Sequence, residues 1–265
     1  MDGQGQLSGH PPPEITLSLR SFALRVVSGL TRSAEDGQDA FRPELAEQVV
    51  GYARNGDQRC LSNLYAGLQR RRVTADDVMD VYLPHAVNVI GQAWHDEEID
   101  ILHASMACAR IQNLLRELGR ALVSDATGRV HDGRVLLTLP VEEQHTLGAM
   151  FAANRLRRRG VSVKVMLLPR MEELCETIER SRVHAVFISV SNEASLLPCA
   201  RMVRSLRDAA SRNISVVVGG GLVSSAIAGT DPTRIAEVTG ADVVTNDIEH
   251  ALHACGIQQL NVAAE

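Results

Sequence analysis

The residues of this chain best suited to chemistry lie in one run, Glu143-Gln144-His145-Thr146-Leu147-Gly148. A carboxylate two residues ahead of a histidine can hold one ring nitrogen and leave the other facing a metal. Neutral imidazole is a common metal ligand, and a carboxylate partner raises its basicity. Gly148, three residues after the histidine, lets a large group approach the backbone. The run follows the apolar stretch Val135-Leu136-Leu137-Thr138-Leu139 and precedes an amphipathic stretch from Gly148 to Arg159. It therefore sits at the carboxyl end of a strand, where an open α/β sheet binds its ligand. This is the pattern of a loop that supplies the lower ligand of a tetrapyrrole-type metal site.

Three other places belong to the same reading. Ser189-Val190-Ser191 closes a second apolar run; its hydroxyls suit hydrogen bonds to a buried nucleotide tail, and strand-end capping is the plainer explanation. Gly219-Gly220-Gly221 closes another. Three glycines exceed what a tight turn needs and would leave a cleft open to a flat ring. No G-x-G-x-x-G follows the first strand, so a dinucleotide site is not indicated. Trp94-His95 ends a helical pattern and holds the sole tryptophan of a chain with only 3% aromatics. It reads either as a core tryptophan beside an exposed histidine, or as a ring-capping Trp94 with His95 reaching the metal from above. His103, eight residues on, reads as a core or surface residue. The arginines at 155, 157, 158 and 159, and those at 70 to 72, read as solvated helix faces.

Two kinds of element must position these residues. From Pro43 to Val123 apolar residues recur every three or four positions. Pro43 opens a helix to Arg54; Asp57 caps a second, ending near Arg72. Thr74-Ala75-Asp76-Asp77 starts a third as a capping box, and a fourth runs from about Ile101 to Val123. Short connections make these a four-helix bundle. From Val135 the period changes. The apolar runs Val135–Leu139, Val161–Leu168, Ala185–Val190, Val216–Val218 and Ala241–Val244 alternate with helices at 146–159, 172–181, 195–209 and 232–238, the signature of a buried parallel sheet. The expected fold class is a four-helix cap followed by a Rossmann-like five-stranded parallel sheet of flavodoxin-like order 2-1-3-4-5. Expected boundaries are a flexible segment over 1–40, the cap over 41–124 and the sheet domain over 133–258. Within the first segment, residues 14–30 read as a short helix or an interaction segment.

Composition narrows the function classes. The 265 residues suit two small domains, and 45% hydrophobic with 22% charged residues suffices for ordinary cores. Five cysteines, an odd number without a C-x-x-C pair, point to a reduced, cytoplasmic compartment and away from a zinc cage. A net charge of −5 argues against a large DNA-binding face. No apolar run reaches the ~20 residues of a membrane span, and no signal pattern is present.

These residues resemble the cobalamin-binding module of methionine synthase and corrinoid proteins, over about 43 to 255. That module joins a four-helix cap to a Rossmann-like domain with D-x-H-x-x-G, a serine-bearing strand end and a Gly-Gly turn. Glu143 stands in the Asp position, one methylene longer. The resemblance implies His145 as lower axial cobalt ligand, with Glu143 to Gly148, Ser189, Ser191 and Gly219 to Gly221 around the cofactor. The cap also resembles light-sensing regulators of the CarH type, which place a tryptophan over the upper face; that likeness implies Trp94 there and His95 as a candidate upper ligand. Those regulators carry a Glu-His pair where this chain has Ala104 and Ser105, so the adenosyl form is not implied. The string Glu143 to Gly148, the Trp94-x-x-Glu97 ending and the lack of a helix-turn-helix head resemble the AerR/PpaA regulators of purple photosynthetic bacteria. That likeness implies a non-enzymatic, light-responsive antirepressor, partnered by a CrtJ/PpsR-type repressor and without direct sequence-specific DNA binding. A methyl-carrying corrinoid protein, or a haem-binding redox sensor on the same fold, stand as alternatives.

Overall fold

The computed structural model describes residues 19–29, 41–125, 130–131, 133–210, 214–224 and 231–260. The helical part begins with α1 (Leu19–Gly29), α2 (Pro43–Asn55) and α3 (Gln58–Arg71). Local chemistry sets their ends. Pro43 occupies the first turn of α2, and Gly56 closes it at φ 70°, donating its N–H to Tyr52 O. The Asp57 carboxylate accepts from Cys60 N at 2.6 Å and caps α3. The expected capping box forms between Thr74 and Asp77 at the start of α4 (Ala75–Asp77).

That helix then widens into a π-helical turn, Val78–Tyr82, before α5 (Leu83–His95). Pro84 has no N–H to offer the preceding turn, and Leu83 N reaches back five residues to Val78 O. The long α6 (Ile101–Asp125) completes the cap. Its core holds Leu45, Leu64, Met79, Ile90, Leu114 and Leu118, all fully buried.

Helix α1 falls within 14–30, where a short helix or an interaction segment was expected. Phe22, Ala23 and Val26 are buried in the cap core, and α1 packs on α3 and α6. Their three- and four-residue spacing forms one apolar stripe that requires a partner surface. The rest of 1–40 lies outside the described residues.

The second part starts with β1 (Val130–His131) and β2 (Arg134–Thr138), followed by α7 (Thr146–Arg158), β3 (Ser162–Met166), α8 (Met171–Arg180) and β4 (Ala185–Ser189). Then come α9 (Leu196–Ala209), β5 (Ser215–Gly219), α10 (Gly221–Ser224), α11 (Pro232–Thr239), β6 (Val243–Val244), α12 (Ile248–Ala254) and β7 (Gln259–Leu260). Five strands form an all-parallel sheet in the order β3-β2-β4-β5-β6, the order expected. Val135 pairs with Val163 on one side and Ala185 on the other. Alternate residues of β2 face opposite layers. Val135 and Leu137 pack under α7 and α12, while Leu136 packs under α8, α9 and α11. Helix α12 and the short β1–β7 antiparallel pair were not foreseen.

The cap lies on α7. Leu147, Met150 and Phe151 are half-buried against the cap core. Arg158, whose side chain is 9% exposed, donates to Asp80 Oδ1 at 2.6 Å and to Asp76, while Arg155 Nε reaches Asp80 Oδ1 at 3.1 Å. Arg159 pairs with Glu249 and Arg157 donates to Val163 O. The arginine cluster is therefore a clamp joining α7 to its neighbours, correcting the reading as a solvated face. The pairing partners lie up to 82 residues away, beyond the reach of any local pattern. No helix among the described residues is long and apolar enough to cross a membrane.

Candidate functional site

Strands β2 and β4 are neighbours whose chains leave in opposite directions, to β3 and to β5. The crevice outside their carboxyl ends is the switch point of the sheet. The loop after β2 turns at Pro140, where Glu143 N donates to Pro140 O at 3.0 Å. That turn drops the Glu143 side chain inward, 1% exposed. A buried carboxylate needs hydrogen-bond donors, and the loop after β4 supplies them. Ser191 N donates to Oε2 at 2.8 Å, and Ser191 Oγ lies 2.7 Å from both carboxylate oxygens. Ser195 Oγ donates to Oε2 at 2.9 Å, and His145 N to Oε1 at 2.9 Å. Burial alone would raise the Glu143 carboxyl. The Ser191 hydroxyl and the His145 and Ser191 donors outweigh it and hold the group down at about 2.

An ionised Glu143 only accepts hydrogen bonds. His145 Nδ1, 2.8 Å from Oε1 and 2.9 Å from Ser191 Oγ, must then carry the proton of the neutral ring. The lone pair is left on Nε2, which has no protein hydrogen-bond partner among the described residues. The ring stands 67% exposed at the start of α7. The extra methylene of Glu143 relative to aspartate is accommodated because the carboxylate is received at both ends, by the His145 loop and by Ser191 and Ser195.

The other expected residues divide. Ser189 ends β4, and its hydroxyl has no hydrogen-bond partner among the described residues. A Cβ placed on Gly148 would lie 3.6 Å from Ser189 Oγ, and one on Gly220 2.9 Å from it. The Ser189 hydroxyl therefore lies between the first turn of α7 and the glycine turn after β5. Two of the three glycines also answer to a constraint within the chain. Gly220 adopts φ 111°, and a Cβ there would also strike Val190 O; one on Gly219 would meet Thr245 O at 2.8 Å. Those two glycines are required by the close approach of the chain to itself. Gly221 is exposed, and a Cβ placed on it would lie 3.4 Å from Ser191 Cα. Gln144 is exposed, Thr146 is half-buried, and Leu147 turns to the cap.

Trp94 is 49% exposed at the end of α5, which removes its reading as a core residue. His95 is exposed beside it, and Ile101, Leu102 and Met106 at the start of α6 are exposed too. Trp94, Ile101, Leu102 and Met106 thus leave apolar surface exposed at the end of α5 and the start of α6. Among those residues, no hydrogen bond, ion pair or ring contact links Trp94 or His95 to the Glu143–His145 pair. His103 is a surface residue bonded to Asp100 Oδ1 at 2.7 Å.

Two contributors escaped the sequence reading. Ser195 follows the helix-capping Asn192, whose side chain accepts from Ser195 N; the spacing Ser191-x-x-x-Ser195 was the available signal. Asn246 Oδ1 accepts from Gly220 N at 2.7 Å while its Nδ2 donates to Gly220 O at 3.1 Å. That latch spans 26 residues and has no local signal.

The donor set suits a metal carried inside a macrocycle. It offers one side-chain nitrogen, and no group of three or more His, Cys, Asp or Glu among the described residues could hold an ion unaided. The remaining coordination positions must come from the ligand itself. Comparison with known proteins agrees. Residues 133–255 match the B12 binding domain family. The chain is 33% identical over 185 residues to an uncharacterized 20.5 kDa protein in the bchF-crtJ intergenic region of Rhodobacter capsulatus, an alignment covering 70% of this chain and 93% of that one. The fold is similar to that of the Methanosarcina barkeri monomethylamine corrinoid protein, with a TM-score of 0.59, 17% identity, and coverage of 80% of this chain and 94% of the other.

Proposed function

The chain belongs to the AerR/PpaA family of proteins with a B12-binding domain, and from that premise we propose that it is a non-enzymatic, cobalamin-dependent antirepressor, responsive to light and acting through a CrtJ/PpsR-type repressor of photosynthesis genes. The observation that carries this reading is the exposed His145 ring, fixed through Nδ1 by the buried carboxylate of Glu143. A ring held in this way presents Nε2 as a ready ligand without further ordering. Cobalamin bound there would supply a cobalt centre whose upper ligand responds to light.

The chain's own residues do the rest. His145 would hold the metal through Nε2. Ser189, between Gly148 and Gly220, would offer its hydroxyl to a polar part of the group. The exposed cap end with Trp94 and His95 would shield it from the cap side. For the switch to work, the repressor must bind the two ligand states with different affinity. The location of the relative's gene beside crtJ is the support for that partner.

The test is an absorption spectrum of the protein mixed with hydroxocobalamin or adenosylcobalamin, dark and illuminated, then desalted. Retained corrin bands that are shifted in the wild type and restored to the free-cofactor position or lost in His145→Ala are expected. An unchanged spectrum in that variant refutes the ligand assignment, and a haem spectrum with no corrin uptake refutes the cofactor. A second reading, a methyl-carrying corrinoid protein, is favoured by the fold shared with the monomethylamine corrinoid protein. Methyl transfer to or from a partner methyltransferase would establish it in place of the regulator.

A further inference from the structure

A cleft of about 1230 Å³ runs between α1, α6, α7 and β3, away from His145. It exceeds the roughly 300–1,000 Å³ of small-molecule pockets and is open along one side. Apolar side chains line it on three sides, with Leu24 53% exposed on α1, Leu167 43% exposed after β3, and Met150 on α7. Among the described residues its charges are four arginines, Arg20, Arg116, Arg120 and Arg157, against one glutamate, Glu117. The whole chain is acidic, at −5, so this is a local reversal of sign. Arg116 and Arg120 are kept on the α6 surface by Asn113 and Glu117.

The walls of the cleft have different origins. Helices α1 and α6 belong to the cap; α7 and β3 belong to the sheet domain. In the antirepressor reading, α6 and α7 also reach the cofactor side. Helix α6 starts at the exposed Ile101, Leu102 and Met106 and lines the cleft from Asn113 to Ala121. Helix α7 starts at His145 and lines it through Met150, Ala153, Asn154 and Arg157. A displacement of the cap helices relative to α7 and β3 would change the width of this cleft, and a rigid helix the length of α6 would carry it over ~37 Å. A partner that spans the junction would bind the two arrangements with unequal affinity, which is the requirement for a ligand-controlled switch.

We propose that this cleft is the docking surface for the partner protein, which inserts an amphipathic helix with an apolar stripe flanked by acidic residues. An apolar groove rimmed by arginine suits such a helix, because the stripe fills the groove while the flanking carboxylates pair with the guanidinium groups. The proposal rests on the antirepressor reading and names its contact surface.

The experiment measures affinity of the full-length, cobalamin-loaded protein for a purified CrtJ/PpsR-type repressor, in darkness and after illumination, at two salt concentrations. Arg116→Glu combined with Arg120→Glu is expected to weaken the tighter state at least tenfold and to flatten its salt dependence. Leu24→Glu, on a different helix, is expected to do the same, and Arg182→Glu with Arg234→Glu, exposed and outside the cleft, to stay within twofold. Retained corrin bands certify that each variant is folded. Binding that survives both cleft variants overturns the docking surface alone. Absence of binding by the wild type overturns the partner assignment and the cleft proposal with it. A self-associated wild type that dissociates on Arg116→Glu with Arg120→Glu gives the cleft to a second copy of this chain and overturns the proposal too.

Discussion

Replacing Glu143 by glutamine tests the reasoning that links burial, charge and the histidine. Burial alone would raise the carboxyl, yet donors from Ser191 and His145 hold it at about 2, well below its usual 4.5. A depressed folded-state value contributes stability that is fully present above the unfolded value. That stability is lost as pH falls through the folded value, so the window here runs from about 4.5 down to about 2. A displacement of two to three pH units corresponds to a ceiling of roughly 3 kcal/mol, and solvent screening at this loop reduces it to about 2 kcal/mol. Glutamine keeps the shape of the side chain but turns one acceptor oxygen into a donor facing donors. Urea unfolding of the cofactor-free protein between pH 3 and 7 is the assay. The wild type is expected to exceed Glu143→Gln by about 2 kcal/mol at pH 7 beyond any constant offset, and this excess should shrink as pH approaches 3. A difference of equal size at pH 7 and pH 3 would show that the donors do not hold a charge, and the deduced Nδ1–H tautomer of His145 would fall with it.

Three further outcomes follow from the geometry. Arg158→Ala and Asp80→Ala should each cost about 2–3 kcal/mol, with a coupling near 1 kcal/mol in the double-mutant cycle, because the nearly buried guanidinium joins the π-helical turn to α7; additive losses would remove the clamp. Gly220→Ala should cost about 2 kcal/mol or more, since the backbone stands at φ 111° with Val190 O and Ser189 Oγ beside it, and a thermal scan showing no shift would contradict that packing. Phe22→Ala should cost about 3 kcal/mol by urea unfolding if α1 is an integral part of the cap, whereas a neutral result would return α1 to a detachable segment.

The sequence by itself determined what depends on neighbours along the chain. Helix ends at Pro43, Asp57 and Thr74 are local hydrogen-bond chemistry, so they could be read directly. The strand order could also be read, because apolar runs buried on both faces alternate with helices in only a few allowed windings. The Glu143–His145 spacing placed carboxylate and imidazole in one loop, and their hydrogen bond is a contact between residues two apart. What the tertiary structure alone decided depends on groups distant in the chain. Ser195 completes the shell of Glu143 across 52 residues, Asn246 latches Gly220 across 26, and Arg158 reaches Asp76 across 82. The same holds for the glycines after β5, whose reason is the backbone at Val190 and Thr245, and for Trp94, whose exposure depends on what surrounds it. A pattern along one segment records which face of an element is apolar. The identity of the group that meets that face is settled only when the whole chain is packed.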